Sequence, residues 1–224
     1  MIHIKICGLK TLEEALAAVE AGADLVGFNF YPPSVRHIEP QACREITAVL
    51  RERYPHVKRV GVFVNASAEA ILDILQGCSL HLAQLHGDEP PALLDQLASL
   101  AFKAWRGIPP EPNPYPFRGE PALLLDAAVA GSYGGTGLTA DWSSAARLAK
   151  QYPLLLAGGL NPQNVAEAVR QVGPWGVDVA SGVEASPGVK DIGKMKAFVQ
   201  AVRRETIRLQ DYEKPRQNEH FITS

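Results

Sequence analysis

Cys7 ends a short apolar segment, His3-Ile4-Lys5-Ile6-Cys7, and is followed by Gly8. A thiol in that position can serve as nucleophile or base where a neighbouring positive charge stabilises the thiolate. The plainer reading is a small buried hydrophobe. Asp126 ends a second apolar segment, after Leu123-Leu124-Leu125. A carboxylate is poor packing material, since charges are rarely buried without partners, so Asp126 reads as a proton donor or as the cap of a following turn. Asp178 lies two residues before Ala180 in a third segment, where it meets either a ligand or Lys5. Arg36 belongs to the stretch Tyr31-Pro32-Pro33-Ser34-Val35-Arg36-His37. Its planar fork suits a substrate carboxylate, the alternative being a solvated surface arginine. His86, in Gln84-Leu85-His86-Gly87, titrates in a useful range but reads by default as a hydrogen-bonded structural residue.

Glycines supply a different chemistry. Gly134-Gly135-Thr136-Gly137 follows the Asp126 segment, Gly158-Gly159 follows the next apolar run, and Ser181-Gly182 the one after. Backbone amides without side chains in the way can hold an anion. Gly135, Thr136, Gly137, Gly158, Gly159, Ser181 and Gly182 are therefore candidate phosphate-binding residues. The six histidines show no spacing with acidic partners that suggests zinc, and Cys7, Cys43 and Cys78 form no Cys-x-x-Cys pair. No metal site is expected.

The elements that must position these residues repeat. Apolar runs at Ile2–Cys7, Leu25–Phe30, Val57–Val64, Leu82–Leu85, Ala101–Trp105, Ala122–Asp126, Leu154–Ala157 and Val177–Ala180 recur about every 25 residues, room for a strand, a helix and two loops. Between them the pattern is helical. Leu12, Ala15, Leu16 and Val19 share a face behind a Thr11–Glu14 capping box; Val165, Ala168, Val169 and Val172 do the same behind Asn161 as N-cap. Met195, Phe198, Val199 and Val202 repeat the spacing near the end. Six prolines between Ile108 and Pro121 predict an irregular fifth connection or a very short helix. The reading is a single-domain (β/α)8 barrel of the α/β class over residues 1–209, with a polar, disordered tail over 210–224. An open doubly wound sheet is the rival, but its glycine fingerprint is absent. In such a barrel, active-site residues sit where the strands end.

Composition limits the partners. With 22 Lys plus Arg against 24 Asp plus Glu, a net charge of −2, the chain is a poor general ligand for nucleic acid. No apolar run is long enough to span a membrane, and the start of the chain lacks a signal-peptide pattern. The expectation is a cytoplasmic protein.

Six stretches in order, Lys5-Ile6-Cys7-Gly8, Val60-Gly61-Val62-Phe63-Val64-Asn65, Gln84-Leu85-His86-Gly87, Gly134-Gly135-Thr136-Gly137 with Asp141-Trp142, Leu156-Ala157-Gly158-Gly159-Leu160, and Val177 to Glu184, closely resemble phosphoribosylanthranilate isomerase of tryptophan biosynthesis. The resemblance covers residues 2 to about 205 and implies an Amadori rearrangement of N-(5′-phosphoribosyl)anthranilate to 1-(2-carboxyphenylamino)-1-deoxyribulose 5-phosphate. It implies Asp126 as general acid at the furanose oxygen, Cys7 as general base at C2, Arg36 on the anthranilate moiety, and the glycine loops with Asp178 among the substrate-binding residues. No cofactor is implied, because hydrogen moves only between adjacent carbons, and the chain would work as a monomer or homodimer. Val35 stands where the family usually has proline, and Ala180 where it usually has serine. Indole-glycerol-phosphate synthase, a related ribosyl isomerase and a non-catalytic phosphate-ligand sensor are the alternatives. The first needs a lysine and glutamate set that Lys5 and Glu184 do not match; the sensor has no use for Cys7 and Asp126 together.

Overall fold

The computed structural model describes residues 1–110, 113, 115, 116, 118–126 and 142–213, with 211–213 described by backbone alone. Eight strands, β1 (His3–Cys7), β2 (Leu25–Asn29), β3 (Lys58–Phe63), β4 (Leu82–Leu85), β5 (Ala101–Arg106), β6 (Leu123–Asp126), β7 (Leu154–Ala157) and β8 (Gly176–Val179), pair in chain order and close into a barrel. Every neighbouring pair is parallel, β8 back to β1 included. Around them lie α1 (Leu12–Ala21), α2 (Pro40–Arg53), α3 (Ala68–Gly77), α4 (Pro91–Leu97), α5 (Trp142–Ala149), α6 (Val165–Val172) and α7 (Ile192–Glu213). Between β8 and α7 the chain also forms a small antiparallel hairpin, β9 (Glu184–Ser186) with β10 (Val189–Lys190). No helix among the described residues is long and apolar enough to cross a membrane.

The strands are apolar throughout because both of their faces are covered. Ile4, Ile6, Val26, Phe28, Leu123 and Leu125 point outward into the shell they share with the helices. Leu25, Val60, Phe102, Leu124 and Leu155 point inward and fill the barrel. On β1, β4 and β8 that inner layer turns polar: Lys5, Gln84 and Asp178 are all buried there. Buried polar groups need partners; Lys5 and Asp178 find each other across the β1–β8 seam.

The capping box of α1 is present, with Thr11 accepting from the Glu14 amide at 3.1 Å. The expected start of α6 needs correction. Asn161 does cap, accepting from the Gln163 and Asn164 amides at 2.9 and 3.2 Å, but it caps a turn, because Asn164 returns an acceptor to the Asn161 amide and the regular helix begins at Val165. Among the described residues between β5 and β6 there is no helix. At the far end the helix runs on to Glu213, so the first residues expected to be tail continue α7; the rest of that segment lies outside the described residues.

Candidate active site

All eight strands end on one rim, and the polar residues predicted from their last positions gather there. Cys7, the last residue of β1, pairs in register with Gly27 of β2. The neighbouring inward residue, Lys5, is fully buried and donates to Asp178 Oδ1 across the β1–β8 seam at 2.9 Å. The Cys7 sulfur lies close enough to Lys5 to add to the field that keeps the ammonium charged. Both atoms crowd one spot, since a Cβ on Gly27 would stand 2.7 Å from Cys7 Sγ and 3.2 Å from Lys5 Nζ. Burial works to discharge this ammonium, but Asp178 and then Cys7 outweigh it and hold its pKa above the ordinary value of 10.5. A buried cation therefore stands beside the thiol. Asp178 is the partner of Lys5 and also lines the cavity.

Arg36 reaches the same rim from the loop after β2. Asn29 ties that loop down, accepting from the Tyr31 amide at 2.8 Å and donating to Ser34 Oγ, which in turn accepts from the Arg36 amide. The guanidinium is not a free fork. Its Nε and Nη2 donate to the two oxygens of Glu184 on β9, at 2.7 and 2.8 Å. Lys190 of β10 donates to Glu184 Oε1 at 2.9 Å and to the Ala180 carbonyl. Burial opposes the charge on Glu184, yet the hydrogen bonds from Arg36 and Lys190 hold its carboxyl below the ordinary carboxylate value. Glu184 and Lys190 are neighbours of Arg36 that strand periodicity could not reveal, because the hairpin carrying them has strands of three and two residues.

Asp126 ends β6 across the mouth, in register with Arg106 of β5 and Ala157 of β7. His86, expected as a structural residue, also faces the cavity. The Gln84 amide meets its Nδ1 at 3.1 Å, which with the amide nitrogen donating leaves the ring proton on Nε2. Burial pushes the His86 pKa below 6.5, against the opposite pull of Asp126, so the ring is neutral at neutral pH. Gln84 Oε1 is buried with no hydrogen-bond donor among the described residues.

A cavity of about 370 Å³ joins these groups: Cys7, Arg36, Asp126 and Asp178 line it together with Gly158, Gly159 and Ser181. The amides of Gly158 and Gly159 have no acceptor among the described residues, and Ser181 opens a single 3-10 turn beside them. Gly182 stands behind the lining. A Cβ there would lie 1.9 Å from the Leu160 carbonyl oxygen, so this glycine lets the loops after β7 and β8 touch. Gly135, Thr136 and Gly137 lie outside the described residues. No group of His, Cys, Asp or Glu among the described residues could hold a metal ion.

Comparison with known proteins gives this geometry relatives. A family model described as N-(5′-phosphoribosyl)anthranilate (PRA) isomerase matches residues 4–201. An N-(5′-phosphoribosyl)anthranilate isomerase of Roseiflexus sp. is 49% identical over 212 residues, covering 91% of this chain and 98% of that one. The crystal structure of phosphoribosyl anthranilate isomerase from Thermotoga maritima has 43% identity and a TM-score of 0.79, covering 91% of this chain and 100% of that one. A structure of such an isomerase in complex with reduced 1-(o-carboxyphenylamino)-1-deoxyribulose 5-phosphate has 41% identity and a TM-score of 0.76, with 91% and 100% coverage.

Proposed function

The chain belongs to the N-(5′-phosphoribosyl)anthranilate isomerase family, and from that membership we propose how its own residues carry out the Amadori rearrangement in tryptophan biosynthesis. The reaction converts N-(5′-phosphoribosyl)anthranilate to 1-(2-carboxyphenylamino)-1-deoxyribulose 5-phosphate. Asp126 protonates the furanose ring oxygen, the C1–O bond breaks, and the anthranilate nitrogen takes up the positive charge as a Schiff base. Cys7, as thiolate, then removes the proton from C2, and the electrons flow to the nitrogen to give an enolamine. Tautomerisation puts a proton on C1 and leaves the ketone at C2. Hydrogen moves only from one carbon to its neighbour, so the chemistry needs an acid and a base and nothing else.

One observation carries this reading. A thiol beside a buried ammonium and a carboxylate from the opposite side of the barrel line one cavity with the bare amides of Gly158 and Gly159. The phosphate belongs at those amides and at Ser181, where barrels commonly bind it; Gly182 belongs to the same loop, and Gly135, Thr136 and Gly137 are assigned to the phosphate from the sequence alone. Asp178 keeps Lys5 charged beneath the substrate. Gln84 Oε1 offers an unused acceptor to a sugar hydroxyl. Arg36, with one edge held by Glu184, has its remaining N–H groups for the substrate beside Cys7. Every one of these residues comes from a single chain, so a monomer suffices and a homodimer is compatible; we place the protein in the cytoplasm.

The test is the loss of anthranilate fluorescence when freshly made phosphoribosylanthranilate meets the purified protein in buffer without metal or nucleotide. We expect rapid decay, and in Cys7→Ala and Asp126→Asn a kcat about 100-fold lower or less still, with circular dichroism unchanged. Wild-type rates in either variant would remove that residue from its role.

A further inference from the structure

At the end of the barrel away from Cys7 and Asp126, where β3 and β4 begin, a buried arginine has no counter-ion. Arg59 is only 4% exposed, and arginine is almost never buried so far unless it is paired. Two of its five N–H groups are met: Nε donates to the Ser79 carbonyl at 2.9 Å and Nη1 to the Val57 carbonyl at 3.4 Å. Among the described residues no carboxylate pairs with Arg59, nor with Arg51, Lys58 or His81 around it. Burial lowers the Arg59 pKa, and Arg51, a second cation, lowers it further.

The imbalance is sharpest at His81. Its Nδ1 accepts from the Arg59 amide at 3.0 Å, so the neutral ring carries its proton on Nε2. That nitrogen stands 3.1 Å from Arg59 Nη2, which can only donate. Two N–H donors therefore meet, and both need an acceptor. Burial, then Arg59 and Lys58, hold the His81 pKa below 6.5, so the ring is neutral at neutral pH. Ser79 completes the group. Its left-handed backbone, with φ at 50°, is costly for serine, and its hydroxyl accepts from Arg51 Nη1 at 3.4 Å. That leaves the hydroxyl hydrogen to give. Arg51, Lys58 and His81 are exposed and Ser79 is half-buried, so the group opens to solvent.

We propose that Arg51, Arg59, Ser79 and His81 form a binding site for a phosphate dianion, separate from the catalytic cavity. The site offers donors alone, with the charges of Arg51, Lys58 and Arg59 above it and no acid among them, which selects a compact oxyanion over a neutral ligand. Its residues come from the last turn of α2, from β3 and from the segment between α3 and β4. Bound phosphate thus ties two outer helices to the barrel wall. The site takes nothing from the chemistry at the mouth, and its test stands whatever reaction occurs there.

The imidazole signal of His81, assigned by its loss in His81→Gln, reports on the site directly. It is followed by NMR while potassium phosphate is added, against potassium chloride at matched ionic strength. Phosphate should move the signal saturably and raise the His81 pKa by about one unit or more, as an opposite charge at contact does; chloride should do neither. Arg51 is exposed and makes one hydrogen bond, so Arg51→Gln keeps the fold, which circular dichroism checks. That variant should bind phosphate about 10-fold more weakly, the scale of one charge-assisted contact. Ribose 5-phosphate in a parallel titration separates a phosphate ester from the free ion, the tighter of the two being the ligand. Equal movement by phosphate and chloride would overturn the site. So would an Arg51→Gln protein that binds phosphate as wild type does.

Discussion

Lys5 carries two duties that a single substitution cannot separate. Its ammonium neutralises buried Asp178 and stands against the Cys7 sulfur. Removing one member of a buried pair strands the other charge, so Lys5→Met should cost about 3–5 kcal/mol of stability in urea unfolding. Adding Asp178→Asn removes the stranded charge and should recover most of that loss. The rate should not follow. With no cation beside the thiol, kcat in the double variant should stay at least 10-fold below wild type. Recovery of both stability and rate would make the pair purely structural. The Lys5–Asp178 contact was legible in the sequence, because both residues fall on inward positions of strands that must adjoin when an eight-stranded barrel closes. The Arg36–Glu184 contact was not. It joins positions 148 residues apart through a hairpin too short to leave a periodic trace.

Elements set how far the loops can be moved. The loops after β7 and β8 touch at Gly182, where a Cβ would press into the Leu160 backbone. Backbone cannot swing aside as a side-chain end does, so Gly182→Ala must part the two loops. We expect KM for phosphoribosylanthranilate to rise about 10-fold with kcat much less affected, and stability to fall by about 1–3 kcal/mol. An unchanged KM would separate this contact from phosphate binding. The strands themselves could be read within a residue or two at each end, because burial on both faces makes a parallel strand a continuous apolar run. The start of α6 could not, since Asn161 and Asn164 hydrogen-bond each other's backbone and convert an apparent N-cap into a turn. The cavity-facing position of His86 was not legible for a related reason. A lone histidine at a strand end looks alike whether it packs or lines a cavity; Gln84 meets it from the same strand, but only the closure of the barrel brings Asp126 near it.

The whole molecule should have a dome of stability against pH, because its buried titratable groups are shifted in directions that add. His3, His81 and His86 all lie below 6.5, chiefly through burial. As pH falls through 6.5 the unfolded chain takes up protons that the folded one resists, so stability declines. Glu89 and Glu184 follow. Burial alone would raise them, but Lys103 with the Asn65 amide, and Arg36 with Lys190, hold both below 4.5. Their contribution is complete above 4.5 and is lost as pH drops from there through the folded values. On the alkaline side burial raises the thiols of Cys43 and Cys78 above their ordinary 9.0. Above pH 9 the unfolded chain ionises thiols that the folded chain keeps neutral, and stability falls again. Urea midpoints measured under reducing conditions from pH 4 to 10.5 should therefore peak between about 6.5 and 9. The acid limb should steepen below 4.5, and Cys43→Ala should flatten the alkaline limb. A midpoint that rises from pH 7.5 down to 4 would contradict the shifts of all five acid-side groups at once, and with them the burial of His86 and Glu184 at the mouth of the barrel.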